Sequence, residues 1–140
     1  MGMYWKAMLR GGALATVLVA AAAGAHHSFA MFDQTKTVTL KGSVVEFQWT
    51  NPHAWIELDV PNARGARERW GIELNSPNNL TRQGWRRSTL KAGDAVTITI
   101  NPLRNGKKGG LFNTIVLPNG KMLGGERAVD GKAINVPTAD

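Results

Sequence analysis

Residues 75–85, "NSPNNLTRQGW", decide the fold, because they carry the one convincing helix signal after the apolar N-terminal stretch. Ser76 is a residue type that caps helix N-termini, and Pro77 suits the first helical position, where its missing N–H is not needed. Gly84 can take the left-handed conformation that ends a helix. The stretch therefore predicts a helix of about two turns.

The sequence on both sides of this helix alternates apolar and polar residues with a period of two, which is typical of half-buried strands. The predicted strands are 37–49, 53–60 and 67–75 before the helix, and 95–101 and 111–118 after it. The Val44–Val45 doublet breaks the alternation and indicates a bulge near Gly42. "PLRNGKKGG" (102–110), rich in glycine and basic residues, is predicted to be a flexible loop.

The element order is strand, strand, strand, helix, strand, strand. This is the order of the OB fold, a five-stranded, partly open Greek-key barrel. A small β-sandwich is the alternative, because a period of two does not distinguish the two closures. The helix after the third strand favours an all-β, OB-like barrel with one short helix.

The first 25 residues have the features of an export signal. Lys6 and Arg10 precede an apolar run that ends in small residues, with Ala23 and Ala25 at the A-x-A positions. An uncleaved anchor is the alternative, but no segment of the mature chain reaches the roughly 20 apolar residues of a membrane span. We therefore expect a periplasmic protein with no stable membrane insertion after cleavage, exported by the general route because a twin arginine is absent.

Cleavage after Ala25 divides the chain into four parts. We predict a signal peptide at 1–25, an N-terminal segment at 26–36, the barrel domain at 37–123 and a flexible C-terminal tail at 124–140. The chain has no cysteine, so its core must supply stability without disulfides. Its moderately basic charge permits contact with anionic partners without requiring it.

Several stretches resemble one protein family. "AHHSFAMFD", "VTLKGSVVEFQWTNPHAWIELDV" and "WGIELNSPNNLTRQGW" resemble a family of small exported proteobacterial proteins of unknown function, most specifically in "HHSFA" and "NPHAW". The resemblance covers nearly the whole mature chain and implies a periplasmic β domain. It implies no established activity.

The histidines are the candidate metal ligands. Cleavage after Ala25 makes His26 residue one, so that its amine and imidazole can chelate copper(II), with His27 or His53 as a further nitrogen ligand in the manner of a histidine brace. Cleavage one or two residues earlier would make a histidine the third residue of the mature chain. A histidine in that position also binds copper(II), through the amine, two amide nitrogens and the imidazole. Structural zinc is less well supported, because it needs four protein ligands. There are two alternatives. The histidines at the terminus can be placed there only to suit processing, and His53 can serve only to hydrogen-bond a neighbouring strand or as a turn residue after Asn51–Pro52.

Glu73 is a candidate partner for His53. If the strands at 53–60 and 67–75 pair as a hairpin, Glu73 comes near His53 and can act as a carboxylate ligand or orient the imidazole. An ordinary charged strand residue is the alternative for Glu73.

A second candidate site is a docking surface on the predicted polar face. Trp55 points to the polar face of the strand at 53–60. The basic loops Arg64–Arg69, with Arg64, Arg67 and Arg69, and Arg104–Lys108 supply positive charge, so an envelope protein, a small ligand or an anionic polymer are candidate partners. An exported protein rarely meets nucleic acid, so none is expected. No G-x-S-x-G frame or phosphate loop is present, and the chain is predicted to be a binding module rather than an enzyme.

Overall fold

The computed structural model describes residues 29–124, 128–129 and 132–133. The first described element is a 3₁₀ turn at Phe29–Met31. The strands are β1 (Val38–Gln48), β2 (Trp55–Pro61), β3 (Arg67–Glu73), β4 (Ala95–Pro102), β5 (Gly109–Val116), β6 (Met122–Gly124), β7 (Ala128–Val129) and β8 (Lys132–Ala133). Helix α1 (Pro77–Arg82) lies between β3 and β4. No helix within the described ranges is both long and apolar enough to cross a membrane.

The first five strands form a closed barrel. The sheet order is β3-β2-β1-β4-β5-β6, and a parallel pairing between β3 and β5 joins the two sides. This closure, with α1 between β3 and β4, confirms the OB-like barrel and excludes the sandwich. Strand β6 extends the sheet from the second half of β5, and β7 and β8 form a separate ladder within the segment predicted as tail.

Strand β1 is long because it pairs with two neighbouring strands. Its first half pairs with β4 and its second half with β2, and the register shifts between Val44 and Glu46, which confirms the bulge. Gly42 precedes Ser43, the residue that both pairings share, and a side chain on Gly42 would collide with the Asp59 carbonyl oxygen. The glycine therefore allows β1 to bend across the barrel.

Two glycines allow the barrel to close. Gly109 and Gly110 are buried in β5, and a Cβ on Gly110 would lie 2.6 Å from Ile100 Cδ1. A Cβ on Gly109 would lie 2.9 Å from the Gly71 carbonyl oxygen across the parallel pairing. The prediction that 102–110 is loop and that the strand spans 111–118 is wrong at this point: β4 extends to Pro102, and β5 spans Gly109–Val116.

Helix α1 closes one end of the barrel. Ser76 Oγ accepts a hydrogen bond from Asn79 N at 3.3 Å, and Gly84 has φ of +87°, as the sequence predicts for the two ends of the helix. Leu80 and Trp85 are completely buried, and the Trp85 ring contacts Phe112 edge-on at 5.4 Å. Burial of each of these side chains contributes about 2 kcal/mol, so α1 is held by packing more than by its own short length.

The inward faces of the strands follow the predicted alternation. Ile56 and Leu58 in β2, Ile72 in β3 and Leu74 just after it are buried, while Trp70 is partly buried against the same core. Trp55 lies on the opposite face of β2 and is half-buried. The face of the barrel that carries Trp55 is therefore the outer one.

Candidate functional site

His53 lies just before β2, on an extension of the β2–β3 pairing. Ala54 N donates to Asn75 O at 3.1 Å and Leu74 N donates to Ala54 O at 2.9 Å. The backbone segments before β2 and after β3 therefore stay paired beyond the two strands. Trp55 and Glu73 face each other within the ladder. The hairpin thus places His53 diagonally across from Glu73, because the residue opposite Glu73 is Trp55, two positions after His53.

The His53 imidazole contacts two oxygens through one nitrogen. Nδ1 lies 3.0 Å from Leu74 O and 3.0 Å from Glu73 Oε1. A carbonyl oxygen can only accept, so Nδ1 carries the hydrogen and donates it to Leu74 O, while the Glu73 carboxylate lies in contact with the same nitrogen. In the neutral ring this tautomer leaves the lone pair on Nε2, the arrangement typical of metal-binding histidines whose other nitrogen donates to a carboxylate or carbonyl.

The Glu73 carboxylate is buried, unlike an ordinary charged strand residue. Its side chain is 4% exposed, whereas that of His53 is 28% exposed. A buried carboxylate is costly unless it is paired or hydrogen-bonded, and the His53 imidazole lies in contact with it. Glu73 is therefore the buried member of the pair, and the His53 imidazole is the more solvent-exposed member.

Trp55 belongs to the same outer face as this pair. It lies opposite Glu73 in β3 and opposite Gln48 in β1, and it follows His53 by two residues. Cross-strand partners project to one face of a sheet, so the indole, the carboxylate and the Gln48 amide are neighbours there. Residues proposed separately for metal binding and for docking thus come together.

Two of the arginines predicted for docking, Arg67 and Arg69, contact acidic residues of β2. Arg69 Nε donates to Asp59 Oδ1 at 2.7 Å and its Nη1 to Glu57 Oε2 at 2.8 Å. Hydrogen bonds from the guanidinium to Asp59 and then to Glu57 raise the pKa of Arg69. Arg67 lies 3.9 Å from Asp59, so this end of the face is charge-balanced.

Arg64 lies apart from these ion pairs, in the turn between β2 and β3. Its backbone N donates to Asn62 Oδ1 at 2.9 Å, and the residue is exposed. The structure therefore brings Arg67 and Arg69 together on β3 but leaves Arg64 at the hairpin tip.

The basic loop, Arg104–Lys108, is tied to the barrel, although the sequence predicts a flexible segment. Lys108 Nζ lies 3.0 Å from Glu68 Oε2 and 5.3 Å from the centre of the Trp70 ring. Hydrogen bonds from Lys108 and then Asn62 lower the pKa of Glu68. Arg104 Nε donates to Ala30 O at 3.0 Å, which connects the loop to the N-terminal turn.

His26 and His27 lie outside the described residues. Within the described part of the chain, no group of three or more His, Cys, Asp and Glu side chains could hold a metal ion. Of the three predicted metal ligands, the structure therefore describes His53 alone, with Glu73 beside it.

Sequence reasoning missed the Leu74 carbonyl and the burial around Glu73. Leu111 of β5 lies next to Glu73 in the parallel pairing and is itself buried. The Gly109–Gly110 doublet was the available signal, because glycines inside a strand often mark a close backbone approach.

Comparisons with known proteins add the following. A sequence model described as "Family of unknown function (DUF6152)" matches residues 14–113. No curated protein matches the chain. Among solved structures, the mitochondrial single-stranded DNA binding protein Rim1 of S. cerevisiae is similar, with 13% identity and a TM-score of 0.43, covering 59% of this chain and 93% of that one. A likeness of this size says nothing about what this chain binds.

Proposed function

Because this chain belongs to the DUF6152 family, a family of unknown function, its role must be argued from its own residues, and we propose a periplasmic copper(II)-binding module. The ligands are the amine and imidazole of a processed N-terminal His26, with His27 and His53 as further nitrogen donors. The protein binds the metal and is not an enzyme.

The hydrogen-bonded state of His53 carries this proposal. Its Nδ1 donates to the Leu74 carbonyl oxygen and lies 3.0 Å from Glu73 Oε1, so the neutral imidazole has its lone pair on Nε2. A fixed tautomer and ring orientation raise the affinity of a histidine for a metal ion. A histidine that served only as a turn residue would not need a buried carboxylate.

Chain length supports the approach of the N-terminus to His53. Phe32 bridges to Leu103 at the end of β4, and β4, β5 and β3 are successive neighbours. Three strand spacings amount to about 14 Å. Phe29–Met31 form a 3₁₀ turn that rises about 2 Å per residue, and the three residues from Phe29 back to His26 add up to about 10 Å when extended, so the terminal amine can lie up to about 16 Å from Phe32, far enough to reach β3.

The donor set favours copper(II) over the other divalent metals. An amine and imidazoles are nitrogen donors, which suit the tetragonal geometry of copper(II), and copper(II) has the highest affinity in the divalent series. The chain offers no thiolate, the ligand that most structural zinc sites use.

Titration of copper(II) against a competing chelator tests the proposal. The protein is recovered after export, and its intact mass must show that His26 is the first residue. We expect a sub-micromolar Kd, weakened at least about tenfold by His26→Ala and by His53→Ala. A protein with three extra residues before His26 is the matched control, because it keeps every side chain, moves the amine away from His26 and leaves neither His26 nor His27 among the first three residues.

Two results would contradict this function. One is a wild-type Kd weaker than micromolar. The other is equal affinity in wild type, His26→Ala, His27→Ala and the extended protein. If His26→Ala weakens copper(II) binding and His53→Ala does not, His53 is not a ligand. The proposal that one metal ion joins the N-terminus to His53 would then be wrong.

Trp55 favours a second candidate function, the docking of an envelope protein on the same face. It is a half-buried indole beside the His53–Glu73 pair, and indoles are frequent anchors of protein interfaces. The ion pairs of Arg69 with Glu57 and Asp59 make this face less suited to an anionic polymer. Copper-independent capture of one envelope protein, lost with Trp55→Ala, would support docking, and salt-sensitive capture of a polymer instead would contradict it.

A further inference from the structure

The N-terminal 3₁₀ turn presents apolar side chains to solvent. Phe29 is 57% exposed and Met31 is 46% exposed, and Ala30 between them is exposed as well. In the described ranges, the other large hydrophobic residue with comparable exposure is Met122, at 39%. Single exposed apolar residues are ordinary, but adjacent ones form a patch.

This apolar turn, Phe29–Met31, is fixed to the barrel. Arg104 N donates to Met31 O at 2.9 Å, and Arg104 Nε donates to Ala30 O at 3.0 Å. The next residue, Phe32, is buried and bridges to Leu103. The turn therefore presents its exposed side chains from a defined position beside the basic loop.

The surroundings of the apolar turn carry a positive charge. The basic loop contains Arg104, Lys107 and Lys108, and Lys36 lies near Asp33. Asp33 and Glu68 are the acidic partners that contact these cations. Four cations against two carboxylates leave an excess of positive charge at this edge, and Lys107 is exposed.

We propose that the apolar turn and the basic loop form a docking surface for an anionic lipid membrane. Phe29 and Met31 enter the boundary between headgroups and acyl chains, and Arg104 and Lys107 contact lipid phosphates. Apolar side chains next to basic ones are the combination by which peripheral proteins bind anionic bilayers. This docking is independent of copper.

Co-sedimentation with vesicles tests the docking surface. Processed protein, with its leader shown to be absent by intact mass, is mixed with phosphatidylcholine vesicles with or without phosphatidylglycerol. We expect binding to the anionic vesicles that falls severalfold between about 20 and 300 mM salt. The double variant Phe29→Ser/Met31→Ser lowers binding at least about fivefold, and Lys107→Glu lowers it similarly.

Lys121 and Met122 provide the matched control. They are an exposed cation and an exposed apolar residue at the opposite end of β5 from the basic loop. Lys121→Glu and Met122→Ser should leave vesicle binding unchanged. Equal losses in the two regions, binding unaffected by the double variant, or equal binding to vesicles without phosphatidylglycerol would each overturn the proposal. The changed residues are exposed, and circular dichroism checks that each variant is folded.

Discussion

Glu73 places its carboxylate Oε1 3.0 Å from His53 Nδ1. Glu73→Leu removes this acceptor, so copper(II) affinity should fall about 10- to 100-fold. Glu73→Gln keeps an amide oxygen as acceptor and should lose less. Chelator competition measures both values.

Glu46→Gln is the control for these variants, because Glu46 is exposed on β1 and its substitution removes a carboxylate charge without touching His53. Wild-type affinity in Glu73→Leu together with weak binding in His53→Ala would show that the carboxylate does not position the imidazole.

Barrel closure depends on the absence of a side chain at Gly110. Gly110→Ala would place a Cβ 2.6 Å from Ile100 Cδ1, in a fully packed interior. Overpacking of this kind destabilises by about 1–3 kcal/mol. Urea denaturation should show a lower midpoint with an unchanged slope.

Gly71→Ala is the matched comparison for this substitution. Gly71 lies in β3, the strand that pairs with β5 to close the barrel, and a Cβ on Gly71 would have no atom within 4 Å. Its free energy of unfolding should change by less than about 0.5 kcal/mol. Equal destabilisation by the two substitutions would argue against a steric requirement at Gly110.

The carboxyl group of Asp33 should titrate at a lower pH than that of an ordinary aspartate. The Thr35 hydroxyl donates to its carboxylate at 2.7 Å, and this bond, followed by the contact with Lys36, lowers the pKa of Asp33 to about 2. A pKa below the unfolded value means that the stabilisation is complete above about pH 4 and is lost as the pH falls towards 2. Carboxyl NMR titration measures the midpoint directly.

Thr35→Val should raise the pKa of Asp33 towards its ordinary value. Thr39→Val makes the same change at an exposed position on β1 and should leave the pKa unchanged. A midpoint near the ordinary value in the wild-type protein would refute the role of the Thr35 hydrogen bond.

The strands and the helix could be predicted because their signals are local. Ile56 and Leu58 alternate with polar residues, and Ser76, Pro77 and Gly84 mark the ends of α1. The Gly109–Gly110 doublet misled the prediction, since two glycines in sequence favour a loop. Their place in β5 depends on contact with β3, which no local pattern encodes.

The site was predictable in part. Hairpin pairing was enough to suggest that Glu73 lies near His53, since strand register follows from alternation. The burial of Glu73 was not predictable, because alternation assigns it to the outer face. Its neighbour Leu111 comes from a strand that is distant in sequence. The metal-binding roles of His26, His27 and His53 stay predictions.

The parallel pairing of Gly71–Glu73 with Gly109–Leu111 also bears on the order of folding. The β1–β2–β3 meander can form from neighbouring segments, whereas this pairing must wait for α1 and β4 to bring distant residues together, and such contacts slow folding. Until β5 arrives, the edge of β3 has unpaired backbone groups that a second chain could bind. The interval before closure is therefore when newly made molecules are most exposed to intermolecular strand pairing.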